Sequence, residues 1–339
     1  MFTQIFLLLF GLIMILIAAE FFTNSIEEFG RHFSFSQAVV GSIFAAVGTA
    51  LPETILPIVA IFMYGGESAK EIGVGAILGA PFMLSTLTFF LVGLTASISY
   101  LRKKRNFELR AETGSIKRDL SFFLGMYSGA ILLPLFLGKS SLVPISAALI
   151  AGYFAYTYMT FGGESLGMEE SEEMYLWRIL KKLRPSLSPK SPPLPLILLQ
   201  VVIALTVMIT GAHTFVESLE KVSLSFGMNP LLFSLLIAPV ATELPEKFNS
   251  ISWTWKGRDT LAIGNITGAM VFQSVFPVSV GLLFTDWNIT GMALFSALLA
   301  ILSSATVLGI ILVRKKISPV ILLFGGGFYL IYVIVLLMR

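Results

Sequence analysis

The chain has 339 residues, 56% of them hydrophobic and 13% charged, with a mean hydropathy of +0.87 and a net charge of +3. Soluble domains carry about twice that charged share, so the composition excludes an ordinary soluble protein and points to a polytopic membrane protein. Cysteine is absent and His32 and His213 are the only histidines, which excludes disulfides, thiolate chemistry and a histidine-based zinc site.

The first apolar run, MFTQIFLLLFGLIMILIAAE, has no basic residue ahead of it. It is also longer than the core of a secretory signal, so it reads as a retained transmembrane helix. A span needs roughly 20 mostly apolar residues. On that measure spans are expected near 4–24, 35–63, 72–98, 120–137, 141–161, 195–219, 229–254, 260–284, 290–313 and 317–338. The segments joining spans one–two, three–four, five–six, seven–eight and nine–ten hold 18 of the 23 Lys and Arg. Lys70, Lys139, Lys221 and Arg339 fall on the other side, and Lys247 falls inside span seven. Lys and Arg favour the cytoplasmic side. The expected setting is therefore a prokaryotic inner membrane with both termini extracytoplasmic.

Residues 162–194 form the longest loop, a cytoplasmic linker between a first half (1–161) and a second half (195–339). It opens with Glu164, Glu169, Glu170, Glu172 and Glu173, turns basic from Arg178 to Lys190, and ends SPKSPPLP. Within it, EEMYLWRILKKLR (172–184) has the pattern of an interfacial helix, with Tyr175, Trp177 and the lysine stems among the headgroups.

Spans two and seven are each interrupted, by AAVGTALPETI (45–55) and APVATELPEKF (238–248). Residues 20–53 align with 213–246 without a gap. The alignment pairs Thr49 with Thr242, Leu51 with Leu244, Pro52 with Pro245 and Glu53 with Glu246. Further on, GAILGA (75–80) matches GNITGA (264–269). Five spans separate the copies, so one copy is inverted against the other, the arrangement of many secondary transporters. The expected fold is an all-α membrane protein of ten transmembrane helices, built as two inverted five-helix repeats with discontinuous helices at the midplane.

Proline removes a backbone donor and disturbs the preceding turn. The freed carbonyls need partners where there is no water. A carboxylate at that depth costs at least ~3 kcal/mol on insertion scales and normally faces a cavity or a partner. Two carboxylates with threonine hydroxyls and backbone oxygens form an all-oxygen donor set, which suits a hard cation such as Ca²⁺. A lone Pro-Glu could be a kink with a snorkelling acid; two in register across opposed halves are poorly explained that way. Asn265 is a candidate ligand or a packing group between helices, with Gln273 and Asn249 as further lining residues. Glu20, His213 and Glu217 lie near span ends and read as interfacial. The GGG at 325–327 reads as a close-packing surface.

These motifs resemble those of the sodium/calcium exchanger family, in the calcium/cation antiporter superfamily. The family's G-T-S-x-P-E-type motif is represented by GTALPE (48–53) and ATELPE (241–246), its second motif by GAILGAPFML (75–84) and GNITGAMVFQ (264–273). The resemblance implies alternating access, with Ca²⁺ held between Glu53 and Glu246 and exchanged for Na⁺ or H⁺. Thr49 and Thr242 would line the site, and no covalent cofactor is implied. The departures are Ala50 and Glu243 in place of serine, Ala80 and Leu84 in half one, and Ala269 and Gln273 in half two. Neutral oxygen ligands for Na⁺ are thus scarce, whereas H⁺ needs only a titratable carboxylate. Glu243 and Lys247 stand at i and i+4 in the favourable order for an ion pair. Lys247 either acts as a built-in cation at the site or turns outward and snorkels.

Two other classes were weighed. A cation channel usually surrounds its pore with several subunits, whereas this chain pairs its own halves, which also suits a monomer. An intramembrane enzyme would need a nucleophile and base, and no such arrangement is visible. The basic loops are explained by topology, so nucleic acid is not an expected partner.

Overall fold

A computed structural model describes residues 2–33, 50–161, 173–183 and 191–338. Thr49, the first part of span two and the acidic start of the linker lie outside the described residues. Within them the chain is helical, with one isolated bridge between Leu109 and Ile317.

The helices in chain order are α1 (Phe2–His32), α2 (Leu51–Ile58), α3 (Glu67–Met83), α4 (Phe89–Leu101), α5 (Thr113–Leu137), α6 (Leu142–Phe161) and α7 (Tyr175–Leu183). There follow α8 (Leu194–Ser225), α9 (Pro230–Thr242), α10 (Leu244–Trp255), α11 (Asp259–Gln273), α12 (Phe276–Phe284), α13 (Gly291–Arg314) and α14 (Pro319–Leu337). Among the described residues, eight helical segments are long and apolar enough to cross a membrane: Phe2–His32, Glu67–Leu101, Thr113–Leu137, Lys139–Thr160, Leu194–Ser225, Asp259–Phe284, Gly291–Arg314 and Pro319–Leu337. Leu51–Tyr64 and Pro230–Val240 are apolar but shorter. These two fall where spans two and seven are interrupted.

The interruptions follow from proline. Pro245 has no N–H to return to the Ala241 carbonyl, and its ring crowds that turn. α9 therefore ends at Thr242, and α10 restarts after Glu243 (φ −89°, ψ 12°). The matched residue Ala50 has φ −86° and ψ 0° and immediately precedes α2, which carries Pro52 in its first turn. Two further prolines widen helices without breaking them. Pro57 is followed by a π-type turn at Val59–Tyr64, and Pro81 by one at Leu84–Thr88, which joins α3 to α4. Such widened turns absorb a lost i→i−4 bond and concentrate at functional sites.

In lipid, apolar surface alone gives helices little reason to associate, so small residues and polar contacts hold them together. α1 crosses α8 at Gly11 and Gly211, where a Cβ on either glycine would lie 2.8–2.9 Å from the other's carbonyl oxygen. α3 lies against α9, with Gly75 on the Leu231 carbonyl, Gly79 on the Leu235 carbonyl, and Ser234 Oγ donating to the Ile72 carbonyl at 2.7 Å. Gly325 meets the Thr86 carbonyl and Gly326 the Phe90 ring, while Gly327 has open space. Two of the three glycines at 325–327 thus provide the expected close approach.

Buried apolar side chains form two main clusters. The larger joins α3–α6 to α9 and α11–α14; the second joins α1 and α8 to α2, α3 and α9 through Leu56, Ala76 and Ala238. The outward faces are apolar too: Phe6, Phe10, Ile13 and Ile17 of α1 are all exposed.

At one end of the bundle, Arg105 forms a bidentate pair with buried Asp259 and donates to the Thr254 carbonyl at 3.1 Å. The Arg110 N–H also donates to Asp259, at 2.7 Å. The loop after α4 is thereby tied to the α10–α11 junction. Helix α7 lies at the same end but is not laid among headgroups. Trp177 is buried with Met174 and Ile197, and Lys181 stands over its ring. Helix α7 docks on protein because its first N–H groups are capped in trans: Asn24 Oδ1 of α1 accepts from Tyr175 at 3.0 Å and Gln200 Oε1 of α8 from Leu176 at 2.9 Å.

Candidate functional site

The start of α2 and the break between α9 and α10 place their acidic residues near one another. Glu53 lies in the first turn of α2 and Glu246 in the first turn of α10. Glu53 is within electrostatic reach of Glu246, Glu243 and Lys247. All four are buried, between 0% and 5% exposed. Residues far apart in sequence thus converge because each stands in the first turn of a helix that opens Leu-Pro-Glu.

Among the described residues, both carboxyl oxygens of Glu53, Oε1 of Glu243 and Oε2 of Glu246 are buried without a hydrogen-bond partner. Buried ionised carboxylates without partners cost several kcal/mol each. Such a cluster calls for cations or protons.

Lys247 points inward. Its Nζ donates to Glu243 Oε2 at 2.9 Å and to the Pro239 carbonyl at 2.8 Å. Of the two orientations left open by the sequence, snorkelling is therefore excluded.

The other candidates are placed less uniformly. Thr242 is buried and its hydroxyl donates back to the Ala238 carbonyl at 3.1 Å, which leaves its oxygen lone pairs available. Asn265 is half-buried and donates to the Glu246 carbonyl at 3.3 Å and to Ser250 Oγ at 3.1 Å. Its amide therefore ties α11 to α10 beside Glu246. Gln273 is buried at the end of α11 with its Oε1 unpartnered among the described residues. Glu20, His213 and Glu217 engage elsewhere: Glu20 accepts from Tyr175 OH, His213 packs edge-on to Tyr64, and Glu217 pairs with Lys221. No three acidic or imidazole side chains converge as a metal cluster among the described residues. A cation here would complete its shell with carbonyl, hydroxyl and amide oxygens.

One buried acid escaped the sequence reading. Asp119 in α5 accepts from Thr267 Oγ1 at 2.7 Å and from Tyr156 OH at 3.1 Å. It anchors the GNITGA segment of α11 to α5 and α6. Standing directly after Lys117 and Arg118, it had the look of a loop charge.

At the end opposite Asp259, a cavity of about 510 Å³ is lined by residues including Glu67, Lys70, Glu71, Asn229 and Asp286, but not by Glu53 or Glu246. At its rim Lys139 donates to Asp286 at 2.7 Å and holds that carboxyl below its usual range.

The sequence profile of the sodium/calcium exchanger protein family matches residues 3–162 and 196–339. The CaxA protein of Alkalimonas amylolytica is 24% identical over 335 residues, covering 96% of this chain and 97% of that protein. Inner membrane protein YrbG of Escherichia coli K12 is 23% identical over 336 residues, covering 95% and 93%. The H⁺/Ca²⁺ exchanger CAX superposes with a TM-score of 0.69 at 19% identity, covering 98% of this chain and 82% of that one. The sodium-calcium exchanger NCX_Mj superposes at 0.57 and 19% identity, covering 98% of both chains. The fold is thus that of calcium/cation exchangers, and the protein is an integral membrane cation antiporter rather than a member of an enzyme family. The chain belongs to the sodium/calcium exchanger protein family.

Proposed function

We propose that this protein exchanges Ca²⁺ for H⁺ or Na⁺ across the membrane by alternating access, with Glu53 and Glu246 as the principal ligands of the divalent ion. The observation that carries this reading is the group of buried carboxylate oxygens of Glu53, Glu243 and Glu246 that have no hydrogen-bond partner among the described residues. Thr242, Glu243 and Gln273 supply further oxygens, and Asn265 holds the Glu246 backbone in place. Thr49 would complete the first half's contribution. Ala80 and Leu84 leave that half poor in neutral ligands, which favours H⁺ over Na⁺ as the counter-ion.

In this reading the two halves, 1–161 and 195–339, are inverted five-helix repeats joined by the 162–194 linker. The near-equal backbone angles at Ala50 and Glu243 support that relationship. The Arg- and Lys-rich end that carries Arg105 and α7 faces the cytoplasm, with both termini outside.

The test is Ca²⁺ flux into liposomes holding purified protein, under an imposed Na⁺ gradient and separately a pH gradient. Uphill Ca²⁺ movement driven by either gradient supports antiport and names the counter-ion. Movement only down the Ca²⁺ gradient, unaffected by both, would indicate a channel and overturn the proposal.

A further inference from the structure

The second half carries Glu243 and Lys247 where the matched positions of the first half carry Ala50 and Thr54. Thr54 donates back to the Ala50 carbonyl, just ahead of its own helix. Lys247 does something different. Its ammonium is enclosed by Glu243 Oε2 at 2.9 Å and the Pro239 carbonyl at 2.8 Å, with the lysine 5% and the glutamate 0% exposed. Pro239 lies in the last turn of α9, where the carbonyls form the negative end of the helix dipole. A carboxylate oxygen and a helix-end carbonyl are hard donors, the type that also holds small alkali and alkaline-earth cations.

We infer that Lys247 is a resident cation: its ammonium fills a monovalent-ion seat beside the Glu53–Glu246 pair and keeps that seat from exchanging ions with solution. This rests on the antiport reading for its consequence. Glu53, Glu243 and Glu246 bring three formal negative charges and Lys247 one positive, so a net of two remains. Two charges match one divalent ion on one stroke and two protons or two Na⁺ on the other. A chain lacking the tethered charge would have room for one more monovalent ion per cycle. Lys247 is thus a determinant of ion selectivity and stoichiometry, not a ligand of the divalent ion.

The experiment uses purified full-length protein in detergent: the wild type, Lys247→Met, Lys247→Thr and the double variant Glu243→Gln/Lys247→Met. The thermal midpoint is followed as NaCl replaces choline chloride at constant ionic strength. The single variants expose the Glu243–Pro239 seat, so Na⁺ raises their midpoints about 1–2 °C further than the wild type's at concentrations several times its dissociation constant. The wild type and the double variant lack this added rise, and any Na⁺ response they share belongs to the Glu53–Glu246 pair. A Ca²⁺ titration of the wild type runs in parallel. Absence of any Ca²⁺ response there counts against the divalent site, whereas the Na⁺ response that the single variants add to the wild type's reads the seat alone. The inference is overturned if the single variants respond to Na⁺ no more than the wild type, if the double variant responds equally, or if the single variants fold in neither salt.

Discussion

Ala50 and Glu243 hold nearly the same backbone conformation, φ −86°, ψ 0° and φ −89°, ψ 12°, and each stands immediately before a helix that opens Leu-Pro-Glu. The shared angles follow from the shared proline two residues on, which each chain segment meets in the same way. The consequence is chemical: each helix start delivers a glutamate into the bundle one residue after its proline. The two side chains then lie within reach of each other's charge.

Close packing of α3 on α9 sets the position of the second break, and Gly79 is its tightest point. Alanine in place of glycine ordinarily strengthens a helix by about 1 kcal/mol. At residue 79 the added Cβ would collide with the Leu235 carbonyl. Gly79→Ala should therefore lower the thermal midpoint, by an overpacking cost of about 1–3 kcal/mol. Gly327→Ala, which meets open space, should be neutral or mildly stabilising. Equal behaviour of the two variants in a melting experiment would refute the crossing.

Asp119 is expected to matter through Thr267 and Tyr156. Removing its carboxylate takes the acceptor from the buried Tyr156 hydroxyl and leaves Thr267 only the Gly264 carbonyl at 3.4 Å, at about 1–3 kcal/mol. Asp119→Asn keeps an acceptor and should cost less than Asp119→Ala. A double-mutant cycle with Thr267→Val should give a coupling energy of about 0.5 kcal/mol or more. Additive effects would mean that the 2.7 Å contact contributes nothing.

Much of this was legible beforehand, and the gaps have specific causes. The paired motifs located the break between α9 and α10 and the start of α2, because proline acts through local backbone chemistry. They also marked Glu53 and Glu246, since an acid at that depth needs a reason. The rotation of Lys247 was not legible, because half a helical turn separates a buried ammonium from a snorkelling one. Trp177 was read among headgroups because an amphipathic pattern does not say whether its apolar face meets lipid or protein. The caps that dock it, Asn24 and Gln200, are single polar residues on distant helices. Asp119 was masked by the basic pair beside it.

Those caps make the linker helix testable. Asn24→Ala and Gln200→Ala each remove an acceptor from the first turn of α7. A lost bond of about 1 kcal/mol corresponds to roughly fivefold faster opening. Hydrogen exchange over Tyr175–Leu183 should accelerate by that factor in each variant while α11 and α13 keep wild-type protection. Unchanged exchange in α7 would show that the buried Trp177 alone holds the helix.

The central claim is that Glu53 and Glu246 together hold the divalent ion, and equilibrium Ca²⁺ binding to purified wild type, Glu53→Gln and Glu246→Gln tests it most directly. Glutamine preserves size and hydrogen-bonding capacity and removes only the charge, so the variants should remain folded by size-exclusion and circular dichroism. The account predicts one saturable Ca²⁺ site per wild-type chain and its loss in both variants, with affinity reduced by at least about a hundredfold. Wild-type affinity in either folded variant would contradict it.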